Sequence, residues 1–205
     1  MKREEVDQHT RARPVVRHSY QSGRASSIER GDDCYDSPPV AVYALLKVER
    51  LPQRIWEPAC GKGNIVLPLR AAGHNVVATD LNDRGCPDSL NGVDFLLPCR
   101  RISDAVITNP PFALAEKFVA TALERAPLVI MLLRLAFMES ERRSYLLDTG
   151  KLARVHVFAR RLPMMHRAGW QGPRASSAMA LAWFVWDRHH KGAATIDRIS
   201  WEATQ

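Results

Sequence analysis

The stretch that most constrains the fold of this chain is residues 104–112, with the sequence Asp-Ala-Val-Ile-Thr-Asn-Pro-Pro-Phe. Val106 and Ile107 are apolar and β-branched, which is typical of a short buried strand. The two prolines then fix their own φ angles and remove two backbone donors, so neither a strand nor a helix continues freely through them. Pro110 also restricts Asn109 to extended conformations. The stretch therefore predicts a buried strand that ends in a rigid turn.

This turn carries the groups needed to hold a planar molecule that bears an amino group. The amide oxygen of Asn109 and the carbonyl oxygen of Pro110 can both accept hydrogen bonds from one NH₂ group, and Phe112 can stack on the attached ring. Two acceptors on one amino group localise a nitrogen lone pair that is delocalised into the ring in free adenine. An ordinary Asn-Pro turn before a helix is the other interpretation, and these residues alone leave both open.

Residues 54–80 have the pattern of a nucleotide-binding βαβ unit. A strand ends at Trp56, a tight loop contains Gly61 and Gly63, a helix follows, and a second strand ends at Asp80. Asp80 lies about 20 residues after the first glycine, as such units require, and its carboxylate would accept from ribose hydroxyls. A nicotinamide-dependent dehydrogenase is the alternative for such a unit. It is disfavoured because no third glycine follows at the usual spacing.

The other segments predict alternating helices and strands. Ser37 is expected to cap a helix that has Pro38 in its first turn and ends near residue 50. Residues 92–96 suggest the end of a third strand, where Asp94 could accept from an adenine amino group and Phe95 could pack near the ring. Further helices are expected at 113–126 and 139–147, and further strands at 128–133, 155–158, 178–186 and 195–201. The last two strands flank a polar turn and are expected to form an antiparallel hairpin.

Composition and charge predict one folded domain with a basic arm. Of the 205 residues, 46% are hydrophobic, which suits one full core. Residues 1–30 are polar and rich in arginine, so we expect a flexible arm there and a single catalytic domain over 31–205. The net charge of +7 favours a polyanionic partner such as nucleic acid.

Cysteine usage and the N-terminal sequence bear on location and metal binding. The four cysteines, at positions 34, 60, 86 and 99, form no Cys-x-x-Cys pair and no metal-ligand spacing. The N-terminal sequence has no apolar signal segment. We therefore expect reduced thiols, no metal site, no membrane segment and a cytoplasmic location.

Together these residues resemble the class I S-adenosylmethionine-dependent methyltransferases, and more narrowly those that methylate adenine amino groups. Glu57-x-Ala59-x-Gly61-x-Gly63 is similar to the family's first motif. Asn109-Pro110-Pro111-Phe112 is similar to its catalytic Asp/Asn-Pro-Pro-Tyr/Phe motif. Supporting matches are Asp80, the pair Asp94-Phe95, and Tyr35-x-Ser37-Pro38, which resembles a Tyr-x-Thr-Pro segment. The sequence around residues 183–186 also resembles small adenine methyltransferases of phage and prophage type.

The resemblance implies an α/β, Rossmann-like fold with a mainly parallel seven-stranded sheet, an antiparallel edge hairpin and helices on both faces. It implies S-adenosylmethionine as cofactor and the catalytic residues Asn109, Pro110, Pro111 and Phe112. The implied cofactor-binding residues are Tyr35, Ser37, Pro38, Glu57, Ala59, Gly61, Gly63, Asp80, Leu81, Asp94, Phe95 and Asn109. Candidate substrate-binding residues are Arg134, Arg160, Arg161, Arg167, Trp170 and Arg174.

The expected reaction is methylation of the N6 amino group of adenine in DNA. The same reaction on RNA, methylation of a protein glutamine, and a nucleic-acid-binding protein with a relic pocket remain alternatives. The glutamine enzymes usually carry Tyr where this chain has Phe112. The chain has no room for a separate target-recognition domain, so loops would have to choose the site.

Overall fold

The computed structural model describes residues 36–99, 103–163 and 179–202. Its α-helices are α1 (Pro39–Leu46), α2 (Val66–Ala71), α3 (Ala115–Arg125) and α4 (Ser144–Leu147). Its strands are β1 (Arg54–Glu57), β2 (Asn75–Asp80), β3 (Leu90–Asn91), β4 (Ala105–Thr108), β5 (Leu128–Arg134), β6 (Leu152–Phe158), β7 (Leu181–Asp187) and β8 (Thr195–Ile199). Short 3₁₀ helices cover Phe112–Leu114, Leu135–Met138 and Glu141–Arg143.

The strands form one sheet in the order β3-β2-β1-β4-β5-β7-β6-β8. β7 alone runs antiparallel to its neighbours, and every other pairing among the described strands is parallel. Helices α1 and α2 contribute to the apolar cluster on one face, whereas α3 and α4 contribute to the cluster on the other. The expected α/β class, with a mainly parallel sheet covered on both faces, is therefore confirmed.

The expected antiparallel hairpin between residues 178–186 and 195–201 is wrong. β7 lies between β5 and β6 and pairs with both, whereas β8 pairs in parallel with the far side of β6. The reason is burial. β7 is apolar and buried from Leu181 to Trp186, which suits an interior strand, whereas only the last residue of β8 is buried, which suits an edge. The sheet consequently has eight strands rather than seven.

Three local expectations also need correction. The N-cap of α1 is Pro38 rather than Ser37, and the Ser37 hydroxyl instead accepts a hydrogen bond from Asn109. The third strand ends at Asn91, so Asp94 and Phe95 lie in the loop after it. The helices expected at 113–126 and 139–147 are shorter than predicted, because a 3₁₀ helix precedes each α-helical part.

Two tryptophans of β7 fasten helices to opposite faces of the sheet. Trp183 Nε1 donates to the Ala41 carbonyl of α1 at 2.9 Å, and Trp186 Nε1 donates to the Leu146 carbonyl of α4 at 2.9 Å. Both rings are fully buried, so each bond satisfies a polar group that would otherwise be costly inside the core. The helix that begins immediately after Pro38 is thus anchored in the interior.

The parallel strands β1, β2, β4 and β5 all end at the same edge of the sheet. Their last residues are Glu57, Asp80, Thr108 and Arg134. In open α/β sheets this carboxyl edge is where ligands bind. Within the described ranges, no helix combines the length and apolar character needed to cross a bilayer.

Candidate active site

A pocket of about 590 Å³ opens at the carboxyl edge of the sheet. Its wall is formed by residues 36–37, the loop 58–65, residues 80–84 after β2, the loop 93–96, and the segment that begins at Asn109. Its volume falls within the range of sites that bind small molecules and cofactors. The strand ends thus bring the glycine loop and the Asn-Pro-Pro turn, which are about 45 residues apart in sequence, to one cavity.

The glycine loop owes its shape to two positive φ angles. Gly61 has φ +55°, and a Cβ there would meet open space within the described part of the chain. Gly63 has φ +87°, and a Cβ there would lie 3.0 Å from Cys86 Sγ. The positive φ angle favours glycine at position 61, and the missing side chain leaves the backbone there accessible from the pocket. At position 63 the close approach of Cys86 is a second reason for glycine, in addition to the positive φ angle.

Two buried acidic residues, at the ends of β1 and β2, accept hydrogen bonds from the backbone of this loop. Glu57 Oε1 accepts a hydrogen bond from Ala59 N at 3.0 Å, and Asp80 Oδ2 accepts one from Gly61 N at 2.8 Å. Asp80 Oδ1 also accepts from Asn82 N at 3.0 Å. A carboxylate offers about four acceptor positions, so Asp80 can still accept from a ligand. Asp80 lies on the pocket wall, whereas Glu57 lies behind it.

Glu57 is a buried carboxyl group with a perturbed acidity. Its pKa is raised to about 8, mainly by full removal from water and to a smaller extent by the charge of Asp80. Thr108 and the Ala59 N–H stabilise the ionised form, but their effect is smaller than that of burial. At neutral pH Glu57 is therefore mostly protonated.

The three described cysteines, Cys60, Cys86 and Cys99, are free thiols. Cys60 lies on the pocket wall, where burial raises its pKa to about 12. Its thiol is consequently neutral and a poor nucleophile at physiological pH.

The Asn-Pro-Pro turn follows β4 as predicted. Asn109 and Pro111 lie on the pocket wall, and the Asn109 side chain donates from Nδ2 to Ser37 Oγ at 2.9 Å. Phe112 is half-buried beside the turn, and the guanidinium carbon of Arg134 lies 4.5 Å from its ring centroid. One face of this aromatic ring is thus in contact with a cation at the end of β5.

The loop 93–97 on the other side of the pocket is held by Arg125, which sequence reasoning missed. Its Nη1 donates to the Phe95 carbonyl, and its Nη2 donates to the Leu97 carbonyl at 2.6 Å. The guanidinium also stacks on the Phe95 and Trp56 rings, at 4.7 and 5.7 Å from their centroids. The sequence did indicate that Arg125 faces the core. It lies seven residues after Phe118 and three after Ala122, which places all three on one face of the helix.

We expect Arg125→Met to lower the free energy of unfolding by about 3 kcal/mol, because two carbonyls lose charge-assisted hydrogen bonds. The ligand affinity of the pocket should also fall, because Asp94 and Phe95 lie on its wall. Urea unfolding and calorimetric titration with S-adenosylmethionine measure the two effects. Arg198→Met, at an exposed position of β8, is the matched control. Equal stability of the two variants would contradict the assigned role.

The predicted site residues divide into four groups. On the pocket wall lie Ser37, Ala59, Gly61, Asp80, Leu81, Asp94, Phe95, Asn109 and Pro111. Close to the pocket but off its wall lie Pro38, Glu57, Gly63, Pro110, Phe112 and Arg134. Outside the described residues lie Tyr35, Arg167, Trp170, Arg174 and the arm 1–30. Arg160 and Arg161 are exposed after β6, and Arg160 forms an ion pair with Glu202 at 2.7 Å.

Sequence comparisons identify no relative of this chain. No protein-family model matches it, and no curated protein matches it either.

Comparison with solved structures identifies many with the same fold. A protein of Listeria monocytogenes described as a class I S-adenosylmethionine-dependent methyltransferase has a TM-score of 0.54 at 13% identity over 78% of this chain and 62% of its own. A modification subunit of a type I restriction enzyme from Vibrio vulnificus has 0.56 at 11%, over 82% and 48%. A protein of Pyrococcus horikoshii described as an RNA methyltransferase has 0.55 at 13%, over 80% and 91%.

The present chain thus spans less than two thirds of the length of the first two proteins. At such low identity the similarity concerns the fold. This chain therefore has the Rossmann-like α/β fold of the class I S-adenosylmethionine-dependent methyltransferases.

Proposed function

We propose that this protein transfers a methyl group from S-adenosylmethionine to the N6 amino group of adenine in a nucleic acid, with DNA as the favoured substrate. The observation that carries the proposal is the position of Asn109. It lies on the wall of the same pocket as Gly61 and Asp80. An amino group accepted by the Asn109 side chain would therefore face a cofactor held by the glycine loop.

The residues of the pocket fit this cofactor. Gly61 leaves backbone accessible, and Asp80 retains acceptor capacity for ribose hydroxyls. Asp94 and the apolar side chains of Leu81 and Leu96 lie on the wall where an adenine ring would need both an acceptor and apolar surface. Asp94 Oδ1 accepts from Leu96 N at 2.8 Å, which fixes the carboxylate in the loop.

When bound, S-adenosylmethionine supplies an electrophilic methyl group on its sulfonium. The chain's own contribution is to orient the acceptor. Asn109 and the Pro110 carbonyl would accept the two N–H bonds of the amino group and localise its lone pair, and the proton can leave for water after the methyl group is transferred. The strand and the two prolines restrict the backbone of the turn, which favours the in-line geometry that this reaction needs.

Charge and exposure near the turn support a nucleic-acid substrate. Arg134 is exposed beside Phe112, and the chain carries a net charge of +7. A base inside duplex DNA would have to leave the stack to reach Asn109, at a cost of a few kcal/mol. RNA adenine is the second candidate, because one of the proteins of similar fold is described as an RNA methyltransferase.

Transfer of labelled methyl from S-adenosylmethionine to duplex DNA, single-stranded DNA and total RNA, followed by nucleoside mass spectrometry, tests the proposal. We expect N6-methyladenine in DNA, and incorporation that falls as salt is raised. Label in RNA alone would select the second candidate. Label in added protein, or none in any nucleic acid while the cofactor binds in calorimetry, would overturn the proposed function.

A further inference from the structure

We propose that Asp36 and Lys62 form a subsite for the amino-acid end of S-adenosylmethionine. In this subsite the Lys62 ammonium binds the α-carboxylate of the cofactor, and the Asp36 carboxylate accepts hydrogen bonds from its α-ammonium group. Neither residue is among the cofactor-binding residues that the sequence predicts. The inference rests on the cofactor of the proposed function and deepens it, but it does not depend on which substrate receives the methyl group.

Asp36 and Lys62 form an ion pair on the wall of the pocket. Asp36 lies immediately before Ser37, and Lys62 stands between the two glycines of the loop. Lys62 Nζ donates to Asp36 Oδ2 at 2.8 Å, and both residues line the cavity. The side chains are 47% and 24% exposed, so neither is sealed in the core. An ammonium has three donors and a carboxylate two oxygens, so this one bond leaves each group able to bind a ligand as well.

The strand order assigns this pair to one side of the pocket. The strands run β2-β1-β4 across this part of the sheet. Asp80, at the end of β2, and Asn109, after β4, therefore lie on opposite sides of the glycine loop, which follows β1. The side chains of Ser37 and Asn109 are hydrogen-bonded at 2.9 Å, so Asp36 belongs to the Asn109 side.

The chemistry of the cofactor requires its amino-acid end on that side. In S-adenosylmethionine the sulfonium joins the adenosine to the amino-acid chain and also carries the methyl group. With the ribose at Asp80 and the methyl group towards Asn109, the amino-acid chain leaves the sulfur on the side away from Asp80. Asp36 and Lys62 are the charged residues of the described wall on that side.

The charges on the described wall complement those of the cofactor. The wall carries three acids and two bases, which are Asp36, Asp80, Asp94, Lys62 and Arg84. Arg84 lies beside Asp80, with its Nε 4.0 Å from Asp80 Oδ1, so it belongs to the ribose side. Lys62 is therefore the base that remains for the α-carboxylate. An α-amino acid carries one charge of each sign, and an adjacent acid and base complement both.

Holding the glycine loop in shape is the other role open to this ion pair. An exposed ion pair contributes only about 0–1 kcal/mol to stability. The loop is also held without it, because Glu57 and Asp80 accept hydrogen bonds from the backbone of Ala59 and Gly61. A bound ligand would exclude water from the pair and strengthen its electrostatic interactions, so we expect its larger effect to be on ligand binding.

Titration calorimetry with two ligands that differ only at this end tests the proposal. S-adenosylhomocysteine carries the amino-acid chain, 5′-methylthioadenosine has a methyl group in its place, and both sulfurs are neutral. We expect Lys62→Met and Asp36→Asn each to weaken the Kd for S-adenosylhomocysteine about tenfold, the weight of one hydrogen bond to a charged group. The Kd for 5′-methylthioadenosine should stay unchanged, which also shows that the variants are folded.

The matched control is Arg54→Met. It breaks an ion pair with Asp104 of the same 2.8 Å length at the start of β1, the end away from the pocket, and should change neither Kd. Equal weakening of both ligands by the Asp36 and Lys62 variants would overturn the proposal, because the pair would then only hold the loop in shape. Unchanged affinity for both ligands would overturn it as well.

Decarboxylated S-adenosylmethionine assigns the two charges separately, because it keeps the ammonium group and lacks the carboxylate. Lys62→Met should weaken binding of S-adenosylmethionine about tenfold without weakening that of the decarboxylated form, which has no anion for the lysine. Asp36→Asn should weaken both, because both keep the ammonium group. Equal weakening of the two ligands by Lys62→Met would contradict its assignment to the carboxylate.

Failure of this inference is distinguishable from failure of the proposed function. If the unaltered protein binds neither S-adenosylhomocysteine nor 5′-methylthioadenosine, the cofactor is wrong and both proposals fail. If it binds S-adenosylhomocysteine no more tightly than the Lys62 and Asp36 variants do, only the subsite is refuted. If the selective loss is found in a protein that methylates no nucleic acid, the subsite stands and only the proposed substrate is refuted.

Discussion

Replacing Asn109 by alanine is expected to lower methyl transfer by about 10²–10³-fold, the cost typical of removing one preorganised polar group aimed at a reacting centre. The variant loses one of the two acceptors for the amino group, and the Pro110 carbonyl alone leaves the nitrogen free to swing out of line. Affinity for S-adenosylmethionine should be kept, because the glycine loop is held by Glu57 and Asp80 rather than by Asn109.

Single-turnover transfer to DNA measures the first effect, and calorimetric titration with the cofactor measures the second. Asn75→Ala is the matched control, because Asn75 is exposed at the start of β2, at the opposite end of the sheet from the pocket. A melting temperature much below that of the parent, or lost cofactor binding, would instead assign Asn109 a structural role.

The parts of the fold that sequence predicted are those set by local rules. The turn at residues 104–112 follows from β-branched residues and two prolines, and the structure places β4 and the Asn-Pro-Pro turn there. The unit from Gly61 to Asp80 follows from glycines at fixed spacing from an acid, and those two residues are joined by a hydrogen bond. Each of these features is contained in a short segment.

The hairpin failed because pairing between strands is not a local property. The polar turn at residues 187–192 suits a hairpin, yet the turn carries the chain past β6 before β8 begins pairing. β7 takes an interior position in the sheet because its residues from Leu181 to Trp186 are buried. Such burial requires a paired strand at each edge and packing against each face. Whether β7 can be buried in this way depends on its neighbours β5 and β6, which are distant from it in the sequence.

Contacts between distant segments likewise limited the prediction of the candidate site from sequence. The sequence motifs indicated Ser37, Asp80 and Asn109 separately. The bond between Ser37 and Asn109 forms because the start of α1 and the end of β4 meet at the same cavity. The motif also suggested that Glu57 contacts the cofactor. The structure places it behind the wall, where its carboxyl group holds Ala59. Burial, which the motif does not encode, then changes its acidity.

Glu57→Gln is expected to stabilise the protein increasingly as pH rises from 5 to 8. The pKa of Glu57 is raised in the folded protein to about 8 from an ordinary value of 4.5. A carboxyl group whose folded pKa is raised contributes stability in full below its unfolded pKa, and that contribution is lost as pH rises through the folded pKa. Glutamine is neutral throughout, so it imitates the protonated acid and keeps its oxygen for the Ala59 N–H.

The measurement is the difference in unfolding free energy between Glu57→Gln and the parent across this pH range. Groups that titrate in both proteins cancel in the difference, and Glu124→Gln, at an exposed position of α3, supplies the baseline for removing a carboxylate. We expect the difference to grow by on the order of 3 kcal/mol between pH 5 and pH 8. That change corresponds to roughly 6–12 °C in melting temperature for a chain of this size. If Glu57 is instead ionised in the folded protein, glutamine loses a charge-assisted bond to Ala59. The variant would then be less stable than the parent at pH 8, and the difference would stay nearly constant between pH 5 and pH 8.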